Sequence, residues 1–283
     1  MTYTPRRVSK VFLCSVPILA IGFAAPRALR VAGVYHTIGG VLFVAIVAAA
    51  WILGARSIRS GRESEQRLAL AGALLLTPFT LVALFWVGLG PPWEATPPEN
   101  VMRYLVLLVS SIAVTGGFVL LKDALSDAGE RNYSTLALAA TILAGAAYLI
   151  WMSFMLGYYV VAVRDGKAPA AMNSLAEVFD ILLDVACLLT YLATATFAAS
   201  LGRVRWLGRG ATRVYVAVNL IASFCLLVSG MSSPDPAAHS TPWYARPGFV
   251  AGIPAIPFIM PFLLGVVLLR RAGEKPSTNA VLY

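Results

Sequence analysis

Residues 32–54 read AGVYHTIGGVLFVAIVAAAWILG, a run of 23 residues without a single Lys, Arg, Asp or Glu. An α-helix rises about 1.5 Å per residue, so a run of this length can cross a hydrocarbon core of about 30 Å. Such a run is typical of a membrane-spanning helix. The stretch therefore predicts a transmembrane helix and a chain that lives in a lipid bilayer.

Similar apolar runs recur along the whole chain, separated by short charged or Pro/Gly-rich segments. The candidates lie near 11–26, 32–54, 68–90, 101–121, 136–162, 175–200, 212–231 and 248–269. The 283 residues are 59% hydrophobic and 12% charged, which is more apolar than a soluble domain can hide from water. No stretch is left for a soluble domain of ordinary size. The sequence therefore predicts a single domain, residues 1–283, that is an all-α polytopic transmembrane bundle of about eight spans.

The distribution of Lys and Arg predicts which way the bundle faces, because positively charged loops are retained on the cytoplasmic side during insertion. With a cytoplasmic N-terminus, sixteen of the 22 basic residues lie on the inner side. The other six are Arg27, Arg30, Arg103, Arg164, Lys167 and Arg246. Both termini are therefore predicted to be cytoplasmic. The net charge of +9 then reflects topology and does not indicate a nucleic-acid partner.

The first candidate span, 11–26, allows two interpretations. Arg6, Arg7 and Lys10 precede a short apolar stretch, which ends in the small-residue pattern Gly22-Phe23-Ala24-Ala25. A retained anchor helix and a cleaved secretory signal both have this appearance. Cleavage would leave seven spans, and the later loops would keep their sides.

The sixth candidate span carries the polar residues most relevant to function. Its first residues are Ser174-Leu-Ala-Glu177-Val-Phe-Asp180-Ile-Leu-Leu-Asp184. A carboxylate at the centre of a membrane helix costs roughly 2.5–3.5 kcal/mol, so one that remains there usually faces protein or water. Polar residues at intervals of three and four form one helix face, which consists of Glu177, Asp180, Asp184, Cys187, Tyr191 and Thr194. We expect this polar face to line the bundle interior, with Asp180 and Asp184 exchanging protons or holding a cation.

Structural roles are the alternative for each carboxylate. Ser174 and Glu177 have the spacing of a capping box, which would satisfy the first amides of the helix. Asp180 and Asp184 would instead be held by a buried partner such as Arg103, Asn219 or a tyrosine hydroxyl. The sequence alone leaves these alternatives open.

Histidine and lysine positions limit the cofactors that the chain can hold. His36 lies near the outer end of the second span, at a depth similar to Glu177 and Asp180, so a shared outer cluster competes with a simple helix-end role. The chain has only two histidines, too few for a convergent metal site or a haem held by paired histidines. The lysines lie at span ends or in loops, which excludes a retinal Schiff base. We predict no metal and no cofactor.

The eighth span contains three prolines, Pro254, Pro257 and Pro261. Each interior proline removes a backbone hydrogen bond, and the freed carbonyls need neighbouring side chains or water. We expect this half of the span to be kinked and to line a cavity or a close helix contact. Cys14, Cys187 and Cys225 match no zinc or redox spacing and are predicted to be free thiols.

The sequence therefore predicts a multi-pass membrane protein, and no motif names its activity. The carboxylates favour a transporter of small solutes or one coupled to protons or cations, with the lipid bilayer and a small solute or cation as partners. The alternative is a non-catalytic subunit or sensor that binds a partner through its helices. An enzyme is less favoured, because no nucleophile and base pair or phosphate-binding loop is visible. The composition indicates a cell membrane, in particular a bacterial inner membrane.

Overall fold

The structure is a computed structural model that describes residues 3–24, 32–86, 95–167, 170–230 and 247–274. Within these ranges the chain forms ten α-helices and no strand. The helices are α1 (Tyr3–Ala24), α2 (Ala32–Ala50), α3 (Ser57–Ser60), α4 (Glu63–Leu81), α5 (Pro97–Asp127), α6 (Asn132–Asp165), α7 (Ala170–Arg203), α8 (Arg209–Cys225), α9 (Pro247–Gly252) and α10 (Ile259–Gly273). The predicted all-α bundle is confirmed.

Seven helical segments of the described residues are long and apolar enough to cross a membrane. They are Thr37–Ser60, Glu63–Phe85, Pro97–Asp127, Asn132–Asp165, Ala170–Arg203, Arg209–Val228 and Ile256–Gly273. These segments correspond to the second to eighth predicted spans. The first predicted span, 11–26, falls on α1 as far as Ala24, and its last two residues lie outside the described residues. α1 is not among the seven segments and carries Arg6, Arg7 and Lys10 in its N-terminal half. Leu13, Val16 and Ala20 of α1 are nevertheless buried in the main core.

Local sequence explains where several helices begin and end. The backbone N–H and hydroxyl of Thr96 both donate to a carboxylate oxygen of Glu99, at 2.7 and 2.8 Å, so the pair caps the start of α5. Pro97 follows at the first helical position, where its missing N–H costs nothing. The end of α6 is marked by Gly166, directly after the last helical residue. Its φ of 76° is a left-handed conformation that glycine adopts without strain.

Consecutive helices pack side by side in the order α4, α5, α6, α7 and α8, and α10 closes the group by packing on α4. Buried aromatic rings fill the centre. Phe118 and Phe197 stack at 4.7 Å between centroids, and Phe79 meets Phe262 edge-on at 5.3 Å. A cavity of about 10 Å³ between α5, α6 and α7 holds at most about one water. This cavity is therefore too small for a solute.

Glycines allow α10 to touch its neighbours through the backbone. A Cβ atom on Gly72 of α4 would lie 2.9 Å from the carbonyl oxygen of Gly265 in α10. A Cβ atom on Gly54 would collide with the Leu269 carbonyl and lie 3.1 Å from the Gly273 nitrogen. Gly54 belongs to a π-helical turn, Trp51–Ala55, which directly follows α2. α10 is thus held against both this π-helical turn and α4 by contacts that admit no side chain.

Candidate functional site

The lower part of the predicted polar face of α7 lies inside the bundle. Cys187, Tyr191 and Thr194 are all buried, as the spacing of three and four residues led us to expect. The Tyr191 hydroxyl donates to the carbonyl oxygen of Ala251 in α9 at 2.8 Å. The Cys187 sulfur lies 3.6 Å from the hydroxyl of Tyr148 on α6. This face therefore joins α7 to α6 and to the short helix α9.

The eighth predicted span is interrupted where its prolines lie. α9 ends at Gly252, a turn follows, and Ile256–Phe258 form one 3₁₀ turn before α10 begins. Pro254 and Pro257 have no N–H, so the carbonyls of Val250 and Ile253 cannot receive their normal helical bonds. They accept instead from residues three positions ahead, Ile253 and Ile256. The break thus leaves the last carbonyls of α9 available to the side chains of α7.

Asp184 lies against this break. Its side chain is half-buried, and a Cβ atom on Gly252 would lie 3.3 Å from its Oδ1 atom. The thiol of Cys187, one turn below, lies 3.8 Å from the Gly252 carbonyl oxygen. Carbonyl oxygens at the C-terminal end of a helix carry partial negative charge. A carboxylate beside them concentrates negative potential, and a proton or a small cation would neutralise it.

Asp180 is placed differently from our expectation, because its side chain is exposed. It accepts a hydrogen bond from Nε1 of Trp151 on α6 at 3.0 Å. α7 has 34 residues and is about 51 Å long, which exceeds the hydrocarbon core by about 20 Å. If both ends project equally, Asp180 lies about 5 Å inside the boundary and Asp184 about 11 Å. The structure therefore does not bury Asp180 with the lower part of the polar face, and its role in holding a proton or a cation stays a prediction.

For Glu177 and His36 no side-chain contact can be given. Both positions are helical, in α7 and α2, but their side chains lie outside the described residues. The capping box predicted for Ser174 and Glu177 is wrong. α7 begins at Ala170, so Ser174 already lies inside the helix and cannot cap its start.

Arg103 is fully buried on α5 and is not a hydrogen-bond partner of Asp180 or Asp184. Its Nη1 atom donates to the Asn100 side-chain oxygen at 3.2 Å, one turn earlier on the same helix. The Nε and Nη2 atoms have no partner. Asn219, the other proposed partner, donates to the Tyr215 carbonyl of its own helix. The partner role suggested by the sequence is therefore filled by neither residue.

Aromatic residues around Arg103 escaped the sequence analysis. Tyr104 is buried beside it, stacks on Tyr159 of α6 with centroids 5.4 Å apart, and meets the Trp151 ring edge-on at 5.3 Å. The charges of Arg103 and Asp180 both act on Tyr104 and Tyr159. The adjacency of Arg103 and Tyr104 in sequence was the available signal. We call Arg103, Tyr104, Trp151, Tyr159 and Asp180 the aromatic cluster.

The structure thus separates the predicted site into two parts. Asp184 lies at the helix break, while Asp180 and Arg103 belong to the aromatic cluster nearer the end that is predicted to face outward. Among the described residues, no three His, Cys, Asp or Glu side chains converge as a metal site would require. Comparison with protein-family models, curated proteins and solved structures finds no match.

Proposed function

We propose that this multi-pass membrane protein is a transporter of small solutes coupled to protons or cations, in which Asp184 takes up and releases the coupling ion. The membrane we propose is a cell membrane, in particular a bacterial inner membrane. One observation carries the proposal: a half-buried carboxylate on α7 lies against the carbonyl end of an interrupted membrane helix.

The physical argument is one of charge and of an interrupted helix. A carboxylate inside a membrane protein is costly, and it usually marks an ion or proton path. Interrupted helices in transporters expose backbone carbonyls near the middle of the membrane, where these oxygens coordinate Na⁺ or H⁺. The prolines also interrupt the helical hydrogen bonds between α9 and α10, so the two halves do not form one continuous helix. Together these features supply an ion site at a break in a membrane helix.

The test is ion movement in proteoliposomes that contain the full chain. Asp184→Asn keeps the shape of the side chain but cannot ionise, so proton or Na⁺ uptake driven by an imposed gradient should fall to the level of empty vesicles. Asp165→Asn is the matched control, because Asp165 is exposed beside Arg164 at the same predicted outer end. That control should retain the wild-type rate.

The amount and the melting temperature of each variant decide between mechanisms. Unchanged ion movement in a stable Asp184→Asn protein would contradict the proposal. If Asp184→Asn fails to fold, Asp184→Glu keeps the charge and should support movement with an altered dependence on pH. An Asp184→Glu protein that folds and moves ions with the unchanged pH dependence would contradict it as well.

A second candidate function, a membrane subunit that binds a partner through its helices, is favoured by α8. Only 17% of the most apolar part of the segment Arg209–Val228, which contains α8, is buried within the bundle. This is the lowest share among the seven candidate spans. The surface side chains of α8 include Val214, Val218 and Phe224. Photo-crosslinkers at these positions, applied in native membranes, test this candidate: adducts with one specific protein favour it, and adducts with lipid alone contradict it.

A further inference from the structure

We propose that Arg103 binds the carboxylate of a small monocarboxylate solute within the aromatic cluster. This inference deepens the proposed function by naming a substrate class, and it rests on that function for its physiological meaning. The evidence for it is that the guanidinium group of Arg103 is buried with two of its nitrogen atoms unpaired.

The first step is the unsatisfied state of Arg103. The side chain has 0% exposure, and only Nη1 has a hydrogen-bond partner. A guanidinium group stays charged in proteins, and a buried charge without an anion is strongly destabilising. Asn100 offers a neutral oxygen from the same helix, which does not balance the charge. The carboxylates of Glu99 and Asp180 lie in the surroundings, but no carboxylate is hydrogen-bonded to the guanidinium group itself.

The second step is which atoms are free. Nε and Nη2 lie on one edge of the guanidinium plane and point two N–H groups in parallel. This edge matches the two oxygens of a carboxylate, which it binds through two parallel hydrogen bonds. Asn100 bonds only Nη1 and leaves the N–H groups of this edge without a hydrogen-bond partner.

The third step is the charge of the surroundings. Asp180 belongs to the same cluster and is exposed, so a negative charge already stands near the Tyr104 and Tyr159 rings. A dianion such as phosphate would be repelled by it. A monocarboxylate brings one charge only, and a ligand that also carries an ammonium group could direct it to Asp180 and the ring faces. The cluster thus favours monocarboxylates over phosphate.

The experiment measures thermal unfolding of the purified full chain in nanodiscs with acetate, benzoate, glycine and leucine. Sodium chloride and sodium phosphate at matched ionic strength are the references. At least one carboxylate should raise the Tm saturably above both references. A larger effect of glycine or leucine than of acetate or benzoate would place the ammonium at Asp180, and equal effects would support a plain monocarboxylate. No carboxylate effect, or an equal effect of phosphate, would overturn the inference.

Two variants connect the effect to Arg103. Arg103→Lys keeps the charge but loses the parallel N–H groups, so the concentration for half-maximal effect should rise about tenfold or more. Arg164→Lys, an exposed arginine at the same predicted outer end, should bind like the wild type. If Arg103→Lys does not fold, Asn100→Asp supplies an internal carboxylate, which should raise the Tm and abolish the carboxylate effect. An unchanged carboxylate effect in whichever of these two variants folds would contradict the inference.

The experiments test carboxylate binding and ion movement separately, so one proposal can be contradicted without the other. Asp184→Asn should retain the carboxylate effect on the Tm even where it loses ion movement, because Asp184 lies outside the aromatic cluster. Carboxylate binding without ion movement in the wild type would therefore contradict the proposed function alone. Ion movement that depends on Asp184, without any carboxylate effect, would contradict this inference alone.

Discussion

Gly265 shows how much a single missing side chain matters in this bundle. A Cβ atom on Gly265 would lie 2.7 Å from the carbonyl oxygen of Gly72 and 3.2 Å from Cβ of Leu75. A backbone oxygen cannot rotate away, so α4 and α10 would have to separate. We expect Gly265→Ala to lower the free energy of unfolding by about 1–3 kcal/mol, measured by denaturant unfolding in mixed micelles.

Gly157 provides the control for this prediction. It is also a helical glycine, in α6, but a Cβ atom there would meet nothing within 4 Å. Gly157→Ala should be neutral or stabilising by up to about 1 kcal/mol, because alanine favours the helix. Equal stability of the two alanine variants would show that the backbone contact at Gly265 is not tight.

Individual site residues were predictable only where spacing determines their direction. Cys187, Tyr191 and Thr194 lie on one helix face, and the structure buries all three. Asp180 lies on the same face about two turns earlier in α7, but its side chain is exposed. The contact of Trp151 with Asp180 depends on the relative rotation of α6 and α7. No pattern within one helix carries that information.

At the scale of elements, Glu130 determines how α6 begins. This buried residue precedes the helix, and its carboxylate accepts the N–H groups of Tyr133 and Ser134, each at 3.0 Å. Desolvation alone would raise the pKa of Glu130. Hydrogen bonds from the Tyr133 amide, the Ser200 side chain, and the amide and side chain of Ser134 outweigh it and hold the pKa below its usual value.

This shift predicts a pH-dependent contribution to stability. Because the pKa of Glu130 is lower in the folded state, its contribution is complete above the unfolded pKa of about 4.3 and is lost as the pH falls through the folded value. Glu130→Gln should therefore cost roughly 0.5–2 kcal/mol at pH 7, and the difference from wild type should shrink below about pH 4.3. Unfolding at pH 7, 5 and 3 measures it. A difference that is constant down to pH 3 would contradict the assignment.

Helix interruptions caused by proline can be predicted from the sequence, whereas those that depend on contacts with a neighbouring helix cannot. The break before α10 was expected, because Pro254 and Pro257 remove specific backbone donors. The π-helical turns Trp51–Ala55 and Leu226–Gly230 were not expected, since they follow ordinary apolar residues. The first of these turns fits closely against α10 through Gly54 and Gly273. Such a turn depends on its partner helix and cannot be derived from its own residues.

At the scale of the whole molecule, orientation in the membrane stays a prediction from charge. Lys167 lies just before the start of α7, and Arg209 lies just after its end, at the first position of α8. Both side chains are exposed. In a variant whose three cysteines are replaced, Lys167→Cys should react with a membrane-impermeant maleimide in intact cells. Arg209→Cys should react only after the membrane is opened, because its loop is predicted to be cytoplasmic. The reverse pattern would invert the topology.

The positions of the membrane spans were predictable because hydropathy is summed over about twenty residues, and errors at single positions average out. The second to seventh predicted spans overlap apolar helices of the structure, and the eighth overlaps one only from Ile256 onward. Helix ends were less accurate: α7 begins at Ala170, five residues before the predicted span, because Ala-Ala-Met-Asn can form a helix outside the hydrocarbon core. The packing order of the helices was not predictable, since helices such as α2 and α6 have no distinct polar face that would indicate which side is buried.

The glycine contacts of α10 have a mechanical consequence. Backbone touches backbone at two heights, once at Gly72 and Gly265 and once at Gly54 and Gly273, so α10 can neither slide nor roll without losing both. α9 accepts a hydrogen bond from Tyr191 of α7 and is connected to α10 through residues 253–258, where the helix is interrupted. α10 is therefore the more firmly fixed half of the interrupted span. The end of the shorter half, α9, lies beside Asp184.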